Sequence, residues 1–276
     1  MSKRVLNTFL LIFQFDLICD KTVINVFCNS AYFIGWGLGG IPLGVLADRY
    51  GRKNVMFVCL LLFALAAEGS AFISSPWQYI LLRVVLGIGY SGCAVNLFIM
   101  VNEFVNVKHR AIVSNLILVC ASLVAFLQTL VAYLEREWRL QTTYLGILAV
   151  ISLSFVLYVP ESIRWLQSAQ KSEAAEKVCL RVARINKSTN KISLSRIDAQ
   201  DIKRTYSYTD LFRNWNTAKL VLVIAYLWFA NGLVQYVLIF QASQLGGNIY
   251  TNLGLMSAVG TVATLISVPI IDRYTF

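Results

Sequence analysis

Seven runs of about twenty apolar residues dominate the sequence, near 25–46, 55–73, 77–101, 111–133, 140–159, 219–241 and 249–271. A run of that length crosses the hydrocarbon of a bilayer as a helix. In lipid only helices and closed barrels satisfy every backbone group. Barrel strands are about ten residues long with alternating polarity, and these runs are neither. The chain is read as an all-α membrane protein, a bundle of about seven transmembrane helices. Composition agrees: 58% of the 276 residues are hydrophobic and 14% charged, against about 25% charged in a soluble domain.

The formal net charge is +10, but the basic residues stand between the apolar runs, which is the pattern of a multi-pass membrane protein and not of a nucleic-acid binder. Arg49, Arg52 and Lys53 follow the first run, Lys108 and Arg110 the third, and a basic stretch from Arg164 to Arg213 the fifth. These three loops fall on one side. The other side has Arg136 and Arg139, offset by Glu135 and Glu137. The basic side is therefore cytosolic, with the amino terminus outside and the carboxyl terminus inside. Lys3-Arg4 before Val5–Phe13 looks a little like a signal peptide, but the apolar part is short and no small-residue cleavage site follows. The sequon Asn186-Lys187-Ser188 lies on the cytosolic side and should stay unmodified. Among the six cysteines no pair has CxxC spacing, and the single histidine, His109, lies in a basic loop. No metal site, catalytic constellation or cofactor is expected.

Charge recurs at the cytosolic ends of several runs. Asp48, Arg49, Gly51, Arg52 and Lys53 form a tight turn after the first run, with Gly51 permitting a sharp backbone. Glu103 closes the third run, with Arg110 seven residues on, and Glu161 and Arg164 follow the fifth. Asp48, Arg52, Glu103, Arg110, Glu161 and Arg164 are expected to cluster as a charge lock that holds this side closed. Within 160–218, residues 170–186 read as a short amphipathic helix lying against the bundle, with Glu173 and Lys177 as an i,i+4 pair. The first run holds two GxxxG spacings, Gly35/Gly39 and Gly40/Gly44, which suit static close packing or a sliding interface.

These residues carry a resemblance. GVLADRYGRK (44–53) resembles the signature loop of the major facilitator superfamily, and Arg83–Gly89 with NEFVNVKHRA (102–111) resembles its fourth-helix elements. PESIRWL (160–166) is similar to the PESPRWL of the organic cation and organic anion transporter family, with Ile163 replacing a proline. Further matches are Phe15–Asp20, Leu211-Phe212-Arg213 and Leu227-Trp228-Phe229. The resemblance implies a twelve-helix transporter of which this chain matches helices two to eight, so that it looks truncated. Residues 1–24 would be the remnant of an extracellular loop, 25–159 a five-span bundle, 160–218 a cytosolic loop, and 219–276 the start of a second bundle. Asp272-Arg273-Tyr274 repeats Asp48-Arg49-Tyr50, as internal repeats in transporters do. Cys19 resembles a loop cysteine that is disulfide-bonded in the family.

The implied function is transport of small organic ions by alternating access, in the plasma membrane. Glu68 and Arg83 are charges inside spans; each is unfavourable there by roughly 2.5–3.5 kcal/mol, so a partner or a cavity is expected. They are read as an ion pair, or as groups that handle substrate or protons. On the sixth span Asn231 and Gln235 share a face, near Trp228 and Tyr236; these line a substrate cavity or pack in the core. Cation-type relatives carry an acid where Thr261 aligns, and the sequence leaves cation and anion open. The competing readings are a seven-helix receptor, whose Asp-Arg-Tyr would follow the third span, and a truncated product that moves nothing.

Overall fold

The computed structural model describes residues 22–135, 137–187, 212–242 and 246–274. Seven of the described helices are long and apolar enough to cross a membrane. The first five spans are α1 (Thr22–Tyr50), α2 (Arg52–Ser70), α3 (Pro76–Phe104), α4 (Arg110–Leu134) and α5 (Trp138–Tyr158). Two shorter helices follow, α6 (Ile163–Ser168) and α7 (Ser172–Ile185), then the spans α8 (Trp215–Gln241) and α9 (Ile249–Tyr274). The signal-like start, Phe15–Asp20 with Cys19, Ser188 of the sequon, Leu211 and the side chains of Asp272, Arg273 and Tyr274 lie outside the described residues.

The helices run past their apolar cores. α1 continues through Asp48 and Arg49, and α2 opens on Arg52, so Gly51 alone separates two spans. At the opposite end Pro76 takes the first position of α3, where its missing N–H is not needed. Gln78 Oε1 accepts the N–H groups of Ser74 and Ser75 at 3.1 and 3.3 Å, half of a capping box that fixes the start of α3. Pro160 follows the end of α5, where a proline keeps the chain from continuing as helix.

The core sits among the first three spans and α5. Met56, Leu60 and Ala64 of α2 pack with Met100 of α3 and with Ala149 and Val156 of α5. α1 lies along α3 at backbone distance. A Cβ on Gly35 would fall on the carbonyl of Val84, and one on Gly87 on the carbonyl of Tyr32. Gly37, Gly40 and Gly44, on other faces of α1, meet nothing within 4 Å. The two GxxxG pairs therefore divide: Gly35/Gly39 is packed and Gly40/Gly44 is open. Alanine at Gly35 or Gly87 has to push two backbones apart, so each variant is expected to lose most of the folded protein. Alanine at Gly40 should stay within about 0.5 kcal/mol of the parent. Fluorescence size exclusion after heating separates the two outcomes.

α4 packs along α9, joining the first five spans to the last two. Ser267 Oγ donates to Asn115 Oδ1 at 3.3 Å, and the rings of Tyr133 and Tyr250 meet edge to face at 5.7 Å. No residue in the spanning window of α8 is buried. Such apolar exposure is natural where the solvent is lipid or another helix.

Candidate gate and substrate face

The basic end of the bundle is built around Gly51. Its φ of +103° suits a residue without a side chain, and a Cβ there would meet Glu161 Oε2 at 2.5 Å and the Trp165 ring at 3.4 Å. The missing side chain admits the Glu161 carboxylate to the first turn of α2, where both oxygens accept the N–H of Lys53 at 3.1 and 3.2 Å. An anion at a helix N-terminus is favoured by unpaired N–H groups and by the helix dipole. Lys53 Nζ reaches the opposite kind of helix end, donating to the Leu157 carbonyl in the last turn of α5 at 2.8 Å.

Beside this cap stands the charge pair. Arg52 Nη2 lies 3.0 Å from Glu103 Oε1 and 3.3 Å from Asp48 Oδ1. The side chains of Arg52 and Glu103 are only 14% and 12% exposed, whereas Asp48 is 71% exposed. Exposed i,i+4 pairs contribute little, so Glu103 is the partner that matters. Glu103 also accepts a 2.5 Å hydrogen bond from the hydroxyl of Ser162, which is wholly buried. The same hydroxyl accepts the Trp165 N–H at 3.2 Å and so caps α6. Trp165 Nε1 donates to the Asp48 carbonyl at 2.8 Å. A continuous polar path thus ties together the ends of α1, α2, α3, α5 and α6.

The structure does not bring the whole expected cluster together. Arg110 donates to the Val105 carbonyl at 3.4 Å, and among the described residues it has no ion pair. The 3₁₀ turn Val107–His109 turns its side chain back onto its own loop. Arg164 is exposed and has no ion pair among the described residues. Arg49 is exposed, with its guanidinium 5.5 Å from the Tyr50 ring. Ser162 and Trp165 join the site beyond the expected charged residues. Their signal was present in a serine preceding a short helix, the usual N-cap pattern.

The expected ion pair of Glu68 and Arg83 is corrected. α2 and α3 come to backbone distance at Gly89, where a Cβ would meet the Cys59 carbonyl at 2.7 Å, and further along Leu82 faces Gly69, its methyl carbons 3.5 and 3.7 Å from a Cβ on that glycine. One position on, at about 100° per residue, Glu68 and Arg83 turn to different sides. Glu68 packs on Gly146 of α5. Arg83 Nε donates to Tyr79 Oη at 2.7 Å, and its guanidinium lies 4.9 Å from that ring. Of the α8 candidates, Trp228, Asn231 and Gln235 are exposed. Tyr236 alone reaches the first bundle, meeting the Phe33 ring edge to face at 4.8 Å. Tyr32 and Tyr90 stand 6.0 Å apart beside it, a group of aromatics on three helices.

The helix arrangement resembles solved transporters. The major facilitator proton:xylose symporter XylE bound to 6-bromo-6-deoxy-D-glucose superposes with a TM-score of 0.69 over 98% of this chain and 64% of that one, at 19% identity. The partially occluded inward-open XylE from E. coli gives 0.56 over 90% and 62%. At these identities the likeness establishes the fold, a major facilitator arrangement of seven spans. The sequence profile of the family described as Sugar (and other) transporter matches residues 14–275. The chain belongs to that transporter family. Within it, the chain is 34% identical to organic anion transporter 3 of Oryctolagus cuniculus, over 86% of this chain and 45% of the relative. It is 28% identical to organic anion transporter 3 of Homo sapiens, over 95% and 51%, and 28% identical to solute carrier family 22 member 16 of Xenopus laevis, over 89% and 45%. The chain spans about half the length of these curated relatives. Transporter-family membership and fold set the seven-helix receptor aside, and transporters of this kind are not enzymes.

Proposed function

We propose that a protein carrying this chain moves small organic anions across the plasma membrane by alternating access. The carrying observation is the path from Glu161 over Gly51 to Arg52, Glu103 and Ser162, which fastens five helix ends at the basic end of one bundle. Ties of this kind bias a bundle toward one closed state, and rocking between states requires them to break. In this reading Asp48, Arg49, Gly51, Arg52, Lys53, Glu103, Arg110, Glu161 and Arg164 belong to the cytosolic gate. Glu68, Arg83, Trp228, Asn231, Gln235 and Tyr236 belong to the substrate side.

The choice of anion rests on two supports. Several similar relatives are named for organic anions. Among the described residues Arg83 has no ion pair, and it is held by Tyr79 on α3, about two turns from the Tyr90 that joins the aromatic group. Uptake of a labelled aromatic carboxylate and a labelled quaternary ammonium into proteoliposomes tests it, using the 276-residue chain and a version carried to the relatives' full length. The expected result is saturable carboxylate uptake by the longer protein and none by the seven spans, which leave α8 uncovered. Saturable uptake of the ammonium alone would contradict the anion assignment.

A further inference from the structure

Apolar side chains exposed in the spans suit lipid or another helix, but two on α7 lie outside any span. α7 buries Ala175 and rests Ala174 and Val178 on Trp165 and Leu166 of α6. α6 in turn is fastened to the bundle through Trp165 to the Asp48 carbonyl and through Ser162 to Glu103. This chain of contacts keeps α7 close to the basic ends of the spans. At about 100° per residue, Leu180, Arg184, Lys177 and Arg181 fall on an arc of about 100° opposite Ala175, and Ile185 lies about 40° further round, on the line of Ala174 and Val178 but about two turns past Val178. All five are exposed, Leu180 to 50% and Ile185 to 71%. Glu173 enters the arc only at the first turn, and no acid follows Glu176 in the helix.

A helix face that puts basic residues between two exposed aliphatic ones has the pattern of a helix lying in a headgroup layer. The aliphatic chains dip toward the acyl boundary while the long basic stems keep their charges at the phosphates. We propose that the Leu180–Ile185 arc of α7 docks on the anionic phospholipid surface of the leaflet at the basic end of the bundle. Charge complementarity selects this occupant, because Lys177, Arg181 and Arg184 meet the negative potential of an anionic leaflet. The tie through α6 keeps the helix within reach of that surface. The proposal does not depend on what the protein transports.

Hydrogen–deuterium exchange of the full chain tests it, in nanodiscs of phosphatidylcholine alone and of phosphatidylcholine with phosphatidylserine. The expected result is that amides of α7 become about tenfold or more better protected when phosphatidylserine is present, since three basic residues contribute. Amides of α2 and α3 should not change. The gain should vanish in the triple variant Lys177→Glu, Arg181→Glu, Arg184→Glu and shrink in Leu180→Ser, Ile185→Ser. If the reversed charges disturb the protection of α2 and α3, the triple glutamine variant is read in their place. Equal protection in the two discs, or a gain that survives removal of the three charges, would overturn the proposal.

Discussion

Alanine at Arg52 is expected to lower stability by roughly 3 kcal/mol, because it strips the cation from a Glu103 carboxylate that is nearly buried. The Ser162 hydroxyl still donates to that carboxylate, but a neutral donor does not replace a guanidinium. Thermal unfolding of the purified protein in detergent should drop clearly for Arg52→Ala. Asp48→Asn should cost under about 0.5 kcal/mol, since its pair is exposed. Adding Glu103→Gln to Arg52→Ala should recover part of the loss, by about 1 kcal/mol or more. Equal losses for Asp48→Asn and Arg52→Ala would contradict the ranking of the two contacts.

Gly51→Ala is the second variant with a large expected effect. The backbone there is in a region unfavourable to any side chain, a cost of about 1–3 kcal/mol. The new methyl also occupies the position of the Glu161 carboxylate, so the helix cap on Lys53 is lost, a further 1.5–3 kcal/mol or so. The second part disappears if the carboxylate is already gone. Glu161→Ala and Gly51→Ala together should therefore cost less than the sum of the single variants. Denaturation midpoints of the four proteins measure this, and strict additivity would mean that glycine and carboxylate do not interact.

These two variants mark how far the sequence can be read. Apolar runs of about twenty residues locate spans because lipid thickness fixes helix length, and the acids and bases beside them share a level because each run ends at the same boundary. Depth was therefore legible, but the direction in which a side chain turns was not. Glu161 looked like a partner for basic side chains, whereas its carboxylate takes a backbone N–H that only the positive φ of Gly51 makes reachable. Glu68 and Arg83 have similar depths and still part, because the residues that face each other there are Gly69 and Leu82, one position away on each helix. Tyr32 and Tyr90 gave no signal, since an aromatic residue in an apolar run reads as packing until a neighbouring helix is in place. The glycines of α1 could be counted from the sequence, yet which of them face α3 depends on that helix's own glycine at position 87.

Alternating access with a gate at the basic end makes one demand that a pore does not. The binding site must return, loaded or empty, before each new uptake, and where the empty return is the slow step a loaded return speeds the cycle. Exchange in proteoliposomes holding the protein at the relatives' full length measures this directly. Uptake of a labelled organic anion should accelerate several-fold when the lumen is preloaded with the same anion unlabelled. Arg52→Ala, whose gate contact is gone, should lose most of that acceleration. Uptake that rises linearly with concentration and ignores the contents of the lumen would contradict the account.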